Sequence, residues 1–231
     1  MKKKLFAGIA TGFVLLSAVS FAQATIIDFT GGTASLLSGG TLITDNSVTS
    51  AFNDVDYYVE DGFKLDFIGD GGNVGNYYGL NNDVIHGHWA TGEYGELTEI
   101  IVSKLDGTTF DLNYFELTSN TDTGGSTASG AELAYITGFN ADGTATGTQV
   151  LLPPDDWGWD GPNPQIFLGS AFDNVAWFSF KVGNSVDCFG MDSFYINEPA
   201  PPPNPVPEPA TMLLMGVGLA GLVGMRRKKK A

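Results

Sequence analysis

His86-Gly87-His88-Trp89 sets the only two histidines of the chain two residues apart. On a β-strand, residues i and i+2 share a face, so both imidazoles can reach one metal ion, with carboxylates needed to complete the ligand set. A pair without a third fixed ligand is a weak site, and His86 and His88 in a polar loop, or packed beside Trp89, are the competing reading. Acids crowd the stretch holding Asp54, Asp56, Glu60, Asp61, Asp66 and Asp70. Ca²⁺ takes roughly six to eight oxygens, which makes a structural Ca²⁺ the one cofactor to consider. No D-x-[DN]-x-[DN]-G loop is present, however, and a solvated acidic surface explains the same residues. Trp157 and Trp159 lie in Asp155-Asp156-Trp157-Gly158-Trp159-Asp160-Gly161-Pro162, and Tyr77 and Tyr78 in Asn76-Tyr77-Tyr78-Gly79. Sugar rings present apolar C–H faces that stack on exposed aromatics, so these four are candidate carbohydrate contacts; the alternative is a small inward-folded cluster.

Motifs for catalysis are missing. The sequence has no G-x-S-x-G, no H-E-x-x-H, no phosphate-binding glycine loop and no histidine beside the lone Cys188. No catalytic residue is assigned, and the expected class is non-enzymatic. A glycosidase needs only two carboxylates about 5 to 9.5 Å apart, so a secreted carbohydrate-active enzyme stays open as the alternative.

Charge is divided sharply along the chain. Of 11 Lys and Arg, eight lie in two terminal clusters, Lys2–Lys4 and Arg226–Lys230. Between Thr25 and Asn204 three lysines face 25 acids, a formal balance of −22 against −15 for the whole chain. Such a field repels phosphate backbones, which excludes nucleic acid as a partner and leaves cations or neutral sugars.

Residues 1–24 read as a signal peptide: Lys2–Lys4, an apolar stretch from Leu5 to about Val19, then Ala22-Gln23-Ala24 as the small-residue cleavage site. At the other end a proline-rich linker, 199–209, contains Val206-Pro207-Glu208-Pro209. An apolar segment, 210–225, and a basic tail, 226–231, follow it. Sixteen helical residues span about 24 Å, less than the ~30 Å hydrocarbon core, so 210–225 is a short transmembrane helix. Arg226, Arg227, Lys228, Lys229 and Lys230 act as a stop-transfer cluster.

The order Val206-Pro207-Glu208-Pro209, apolar helix, basic cluster closely resembles the PEP-CTERM sorting tail of Gram-negative bacteria. The resemblance covers about the last 26 residues. It implies handling by an exosortase-type membrane protease that cuts near Pro207-Glu208-Pro209. It also implies transient residence at the inner membrane, then delivery to the cell surface or outside, in association with exopolysaccharide or biofilm matrix.

Strand signals fill the middle, 25–198. Phe63, Leu65 and Phe67 alternate with polar residues, as do Phe110, Leu112 and Tyr114; Phe115 and Leu117 then follow in shifted phase, which predicts a bulge. Further runs are Thr25 to Phe29, Ile100 to Ser103, Leu133 to Phe139, Val175 to Val182 and Phe189 to Ile196, with turns at Asp61-Gly62, Asp106-Gly107 and Asp142-Gly143. The expected fold is an all-β, antiparallel, jelly-roll-like sandwich with Phe63, Leu65, Phe67, Phe110, Leu112, Phe178, Phe180 and Phe194 in its core. The order of Phe110-Asp111-Leu112, Asp142-Gly143 and Phe189–Ile196 is similar to ectodomains borne on such tails and implies the same sandwich. Cys188 has no partner for an internal disulfide and is expected to be buried.

Because cationic flanks resist translocation, the middle domain is expected on the periplasmic side and Arg226–Lys230 in the cytoplasm before sorting. A reporter fused after Ala231 that works only in the periplasm should stay silent; activity there would reverse the topology.

Overall fold

The computed structural model describes residues 24–44, 53–69, 75–78, 84–91, 95–121, 133–153, 165–184, 186 and 188–198. The signal segment, the Trp157/Trp159 loop and the sorting tail lie outside the described residues. Among the described residues fourteen strands form one antiparallel system. They are β1 (Thr25–Ile27), β2 (Thr33–Leu36), β3 (Thr41–Ile43), β4 (Asn53–Glu60), β5 (Phe63–Gly69), β6 (Gly75–Tyr78) and β7 (Val84–His88). The second half supplies β8 (Leu97–Lys104), β9 (Leu112–Thr121), β10 (Leu133–Phe139), β11 (Val150–Leu151), β12 (Gln165–Phe167), β13 (Trp177–Asn184) and β14 (Cys188–Ile196). Among the described residues the one helical element is a single 3₁₀ turn, Ser170–Phe172.

Neighbours run in the order β11-β10-β13-β8-β5-β4-β6-β7-β14-β9-β12. β4 joins the two halves: Tyr57–Glu60 pair with β5, whereas Asn53–Val55 pair with β6. Asp56 between them is an extra residue against β2, where Ser35 faces Tyr57 and Leu36 faces Val55. That bulge lets Val55 and Tyr58, three apart, both point inward.

The path folds over on itself, since rings from remote positions meet. Phe178 and Phe180 of β13 lie 5.6 and 6.0 Å from Phe194 of β14, and Phe115 of β9 lies 5.6 Å from Phe180. All eight core residues named from the sequence are buried. Their alternation with polar neighbours is the period-2 signature of a strand with one wet face.

Local chemistry matches the turns. Asp61 (φ 46) and Gly62 (φ 82) form a two-residue connection between β4 and β5, both in the left-handed region that Asp-Gly tolerates. Several strand limits differ from expectation. Phe110 and Val175 meet only as an isolated bridge, so their strands begin later, at Leu112 and Trp177. β1 stops at Ile27, and Phe29 turns away with φ 61.

The expected bulge is present. Ile196 faces Leu112 and Tyr195 faces Tyr114, leaving Asn113 as the extra residue of β9. Leu112 and Phe115 consequently point into the core, and Tyr114 turns to the outer face. The reading that kept Tyr114 in line with Phe110 and Leu112 is corrected here: the inserted residue reverses the phase before Tyr114 instead of after it.

Phe178 sits at the centre of these ring contacts, touching Phe110, Phe180 and Phe194. Phe178→Ala should destabilise the domain by about 3–5 kcal/mol in a urea titration; a loss under about 1 kcal/mol would mean the two halves are not held by this cluster.

Candidate functional site

β7 alternates cleanly. Ile85, Gly87 and Trp89 face the core, and His86 and His88 share the other face, as i, i+2 spacing requires. Gly87 is set by packing: a Cβ there would lie 2.6 Å from Leu97 Cδ2 and 3.1 Å from Ile100 Cδ1. Burial, then the neighbouring His88 imidazole, lowers His86 to about 4, so it is neutral at physiological pH. Among the described residues no three His, Cys, Asp or Glu converge in a way that could hold a metal ion. Cys188 faces His88 in register, and the backbones of Tyr77 and Tyr78 lie in β6; these three side chains are outside the described residues.

The described acids of the acid-rich stretch disperse, and Asp70 lies outside the described residues. Asp54 and Asp56 are exposed on β4, Asp61 forms the hairpin turn, and Asp66 pairs with Lys64 at 2.7 Å. Glu60 departs furthest from a surface acid. It is 8% exposed, accepts a hydrogen bond from Tyr58 Oη at 2.8 Å and another from the Phe29 N–H at 3.0 Å. Thr44 Oγ1 joins Tyr58 Oη at 3.0 Å and donates to the Gly32 carbonyl at 3.3 Å. The cluster ties the end of β1 to β4 and to the loop after β3, and it holds Phe29 in its left-handed conformation. Burial raises Glu60 to about 7 although Tyr58 and the backbone N–H groups of Asp28 and Phe29 pull the other way.

An open cavity of about 700 Å³ lies beside β1, lined among others by Ala24, Ile26, Asp61, Lys104, Asp106 and Glu198. Ala24, the last residue of the expected cleavage site, is exposed at its rim. The Asp106 carboxyl is held below its usual range by hydrogen bonds from Thr108, and Glu60 is not part of this wall.

The sequence did not indicate a row of side chains across the outer face of β12, β9, β14 and β1. Phe167 faces Tyr114, Tyr114 faces Tyr195, and Tyr195 faces Ile26. The Tyr114 ring lies 5.1 Å from Phe167 and 4.5 Å from Tyr195. Phe167 and Ile26 are 44% and 43% exposed, and Tyr195 is half-buried. Polar groups border this row. Tyr114 Oη donates to Glu116 Oε1, which also accepts from Gln165 Nε2 at 3.0 Å. Burial, then the carboxylates of Glu116, Asp192 and Asp28, raises the Tyr195 phenol. One signal was legible: the phase shift before Phe115, had it been carried back to Tyr114.

Residues 205–228 match the model of the PEP-CTERM protein-sorting motif. The chain therefore carries that sorting tail, with Pro207-Glu208-Pro209 inside the matched segment, and such a motif implies export toward the cell surface. No curated protein matches the chain.

The folded protein holds the Glu60 proton more tightly than the unfolded chain does. Its contribution to stability is thus full below about pH 4.5 and lost as pH rises through about 7. Glu60→Gln should flatten the decline in stability between pH 5 and 8 by about 1–2 kcal/mol, allowing for solvent screening. Parallel denaturation profiles for the two proteins would show that Glu60 does not titrate in this window.

Proposed function

We propose that this chain is an exported cell-surface or extracellular-matrix protein: a non-enzymatic binding or structural module, jelly-roll-like in architecture, delivered by its sorting tail and associated with exopolysaccharide or biofilm. The match at 205–228 carries this reading. Residues 1–24 direct export and are removed after Ala24. The segment 210–225 lodges briefly in the inner membrane as a helix, with Arg226–Lys230 left in the cytoplasm. An exosortase-type protease then cuts near Pro207-Glu208-Pro209. The proline-rich 199–209 stretch resists helix and sheet, so it stays extended for a protease cleft and keeps the β-domain clear of the bilayer. A helix shorter than the bilayer suits a disposable anchor better than a permanent one.

The rival, a carbohydrate-active enzyme, requires two acids converging in a cleft with one pKa raised. The raised carboxyl, Glu60, sits under β1, and Asp106 on the cavity wall is shifted the opposite way. Among the described residues these two shifted carboxyls stand apart.

Replacing Pro207, Glu208 and Pro209 by Ala should trap full-length protein in the inner membrane. Mass spectrometry of surface-exposed material should find no peptide from Met212–Met225. Its recovery there would make the tail a plain anchor.

A further inference from the structure

We infer that the outer face of β12, β9, β14 and β1 is a platform for a neutral polysaccharide chain built of flat, equatorially substituted pyranose rings. The inference gives the binding module proposed above a ligand class, and it rests on that reading only for the place where the ligand is met.

Single exposed apolar residues are ordinary on a protein surface. Alignment sets these apart: four strands place Phe167, Tyr114, Tyr195 and Ile26 in one cross-strand line. Three strand spacings make that line about 14 Å long, the length of about three pyranose rings end to end. Tyr114 is 2% exposed and packs against both flanking rings, so it supports the surface, while Phe167, Tyr195 and Ile26 supply it.

A pyranose with equatorial hydroxyls turns its axial C–H bonds toward the two ring faces and its O–H donors toward the rim. The platform has the matching pattern. Apolar side chains lie along the line, Glu116 and Gln165 lie beside it as an acceptor and an amide donor, and Asp192 in β14 and Asp28 just past β1 add carboxylates to the same strands. Bonds from neutral donors to carboxylates are stronger than those between neutral groups.

Charge narrows the ligand further. None of the four strands contains Lys or Arg. Uronate or sulfated polymers would meet three carboxylates with no cation from these strands, and an apolar protein surface would have to desolvate the same carboxylates. A neutral glycan avoids both costs.

The test uses the whole chain, retained in affinity electrophoresis gels containing hydroxyethylcellulose or a β-1,3-glucan, with alginate as the anionic control. Retardation by at least one neutral glucan and none by alginate is expected. Phe167→Ala and Glu116→Gln should each weaken that retardation, Phe167→Ala by roughly tenfold. Both lie on the outer face, so unchanged urea midpoints would separate lost binding from lost folding. Phe139→Ala, which breaks the Phe139–Trp177 stack on the other half of the sheet path, should leave binding intact. No retardation by either glucan, equal retardation of Phe167→Ala, or preference for alginate would overturn the platform. Protease accessibility on intact cells is read in parallel. Surface-exposed chain that binds no glucan sinks the platform alone; chain that binds but never reaches the surface removes the surface reading and leaves the platform standing.

Discussion

The structure depends on phenylalanine rings that reach each other from opposite halves of a single sheet path. A sheet of this many strands must curl, split or fold over to cover its apolar face. Here it folds over because Phe178 and Phe180 from β13 meet Phe115 and Phe194 from β9 and β14 at 5.6–6.0 Å. Such ring pairs add about 0.5–1.5 kcal/mol each beyond the area they bury. Their wider consequence is geometric. Side chains alternate with period 2, so fixing which residues point inward fixes which point outward. The outer surface is thus the complement of the core, and any binding row on it is decided from within.

Bulges are the means of changing that assignment. Asp56 in β4 lets one strand serve both halves of the path. Asn113 in β9 sends Tyr114 outward to sit between Phe167 and Tyr195, and a further irregularity at Asp192 keeps Phe194 inside while Tyr195 stays out. Without the extra residue at 113, Leu112 and Phe115 could not both face the core, and no aromatic line would cross the outer face. Glu60 works on a different scale. Its carboxylate anchors Phe29 and Tyr58, elements separated by about thirty residues of chain, where ladder pairing alone would leave the end of β1 loose.

These mechanisms explain what the sequence could tell. Core phenylalanines were legible because their alternation with Lys64, Asp66 and Asp111 is local, and Asp-Gly turns because the backbone conformation they permit is a property of two residues. The sorting tail was legible for the same reason: composition, order and spacing over a short window define it entirely. The aromatic row was not. Phe167 belongs to a three-residue strand with no periodicity of its own, and the facing of Tyr114 and Tyr195 depends on cross-strand register, which no single window contains. Glu60 reads as a surface acid from the sequence because the N–H groups that bind it, those of Asp28 and Phe29, are distant in the chain. The glycine of His86-Gly87-His88 was equally illegible, since the Leu97 and Ile100 side chains that require it come from a different strand.

Electrostatics then separates the domain from its carriers. Cations concentrate in the two terminal clusters that the proposed processing removes, and the three lysines left behind are used locally. Lys64 pairs with Asp66, Lys181 with Glu99 at 3.3 Å, and Lys104 sits 5.8 Å from the Phe63 ring and donates to Thr108. The processed domain would therefore meet its surroundings with a nearly unbroken acidic field. That field opposes contact between copies at the two ends of the described strand path, where the strands are short: β11 has two residues and β12 three. The same edge strand β12 bears Phe167, so the exposed apolar residue that makes the platform useful is also the one that most needs this protection. Repulsion between acidic copies supplies the protection without covering the Phe167 ring, and it leaves that ring accessible to the uncharged ligand proposed above.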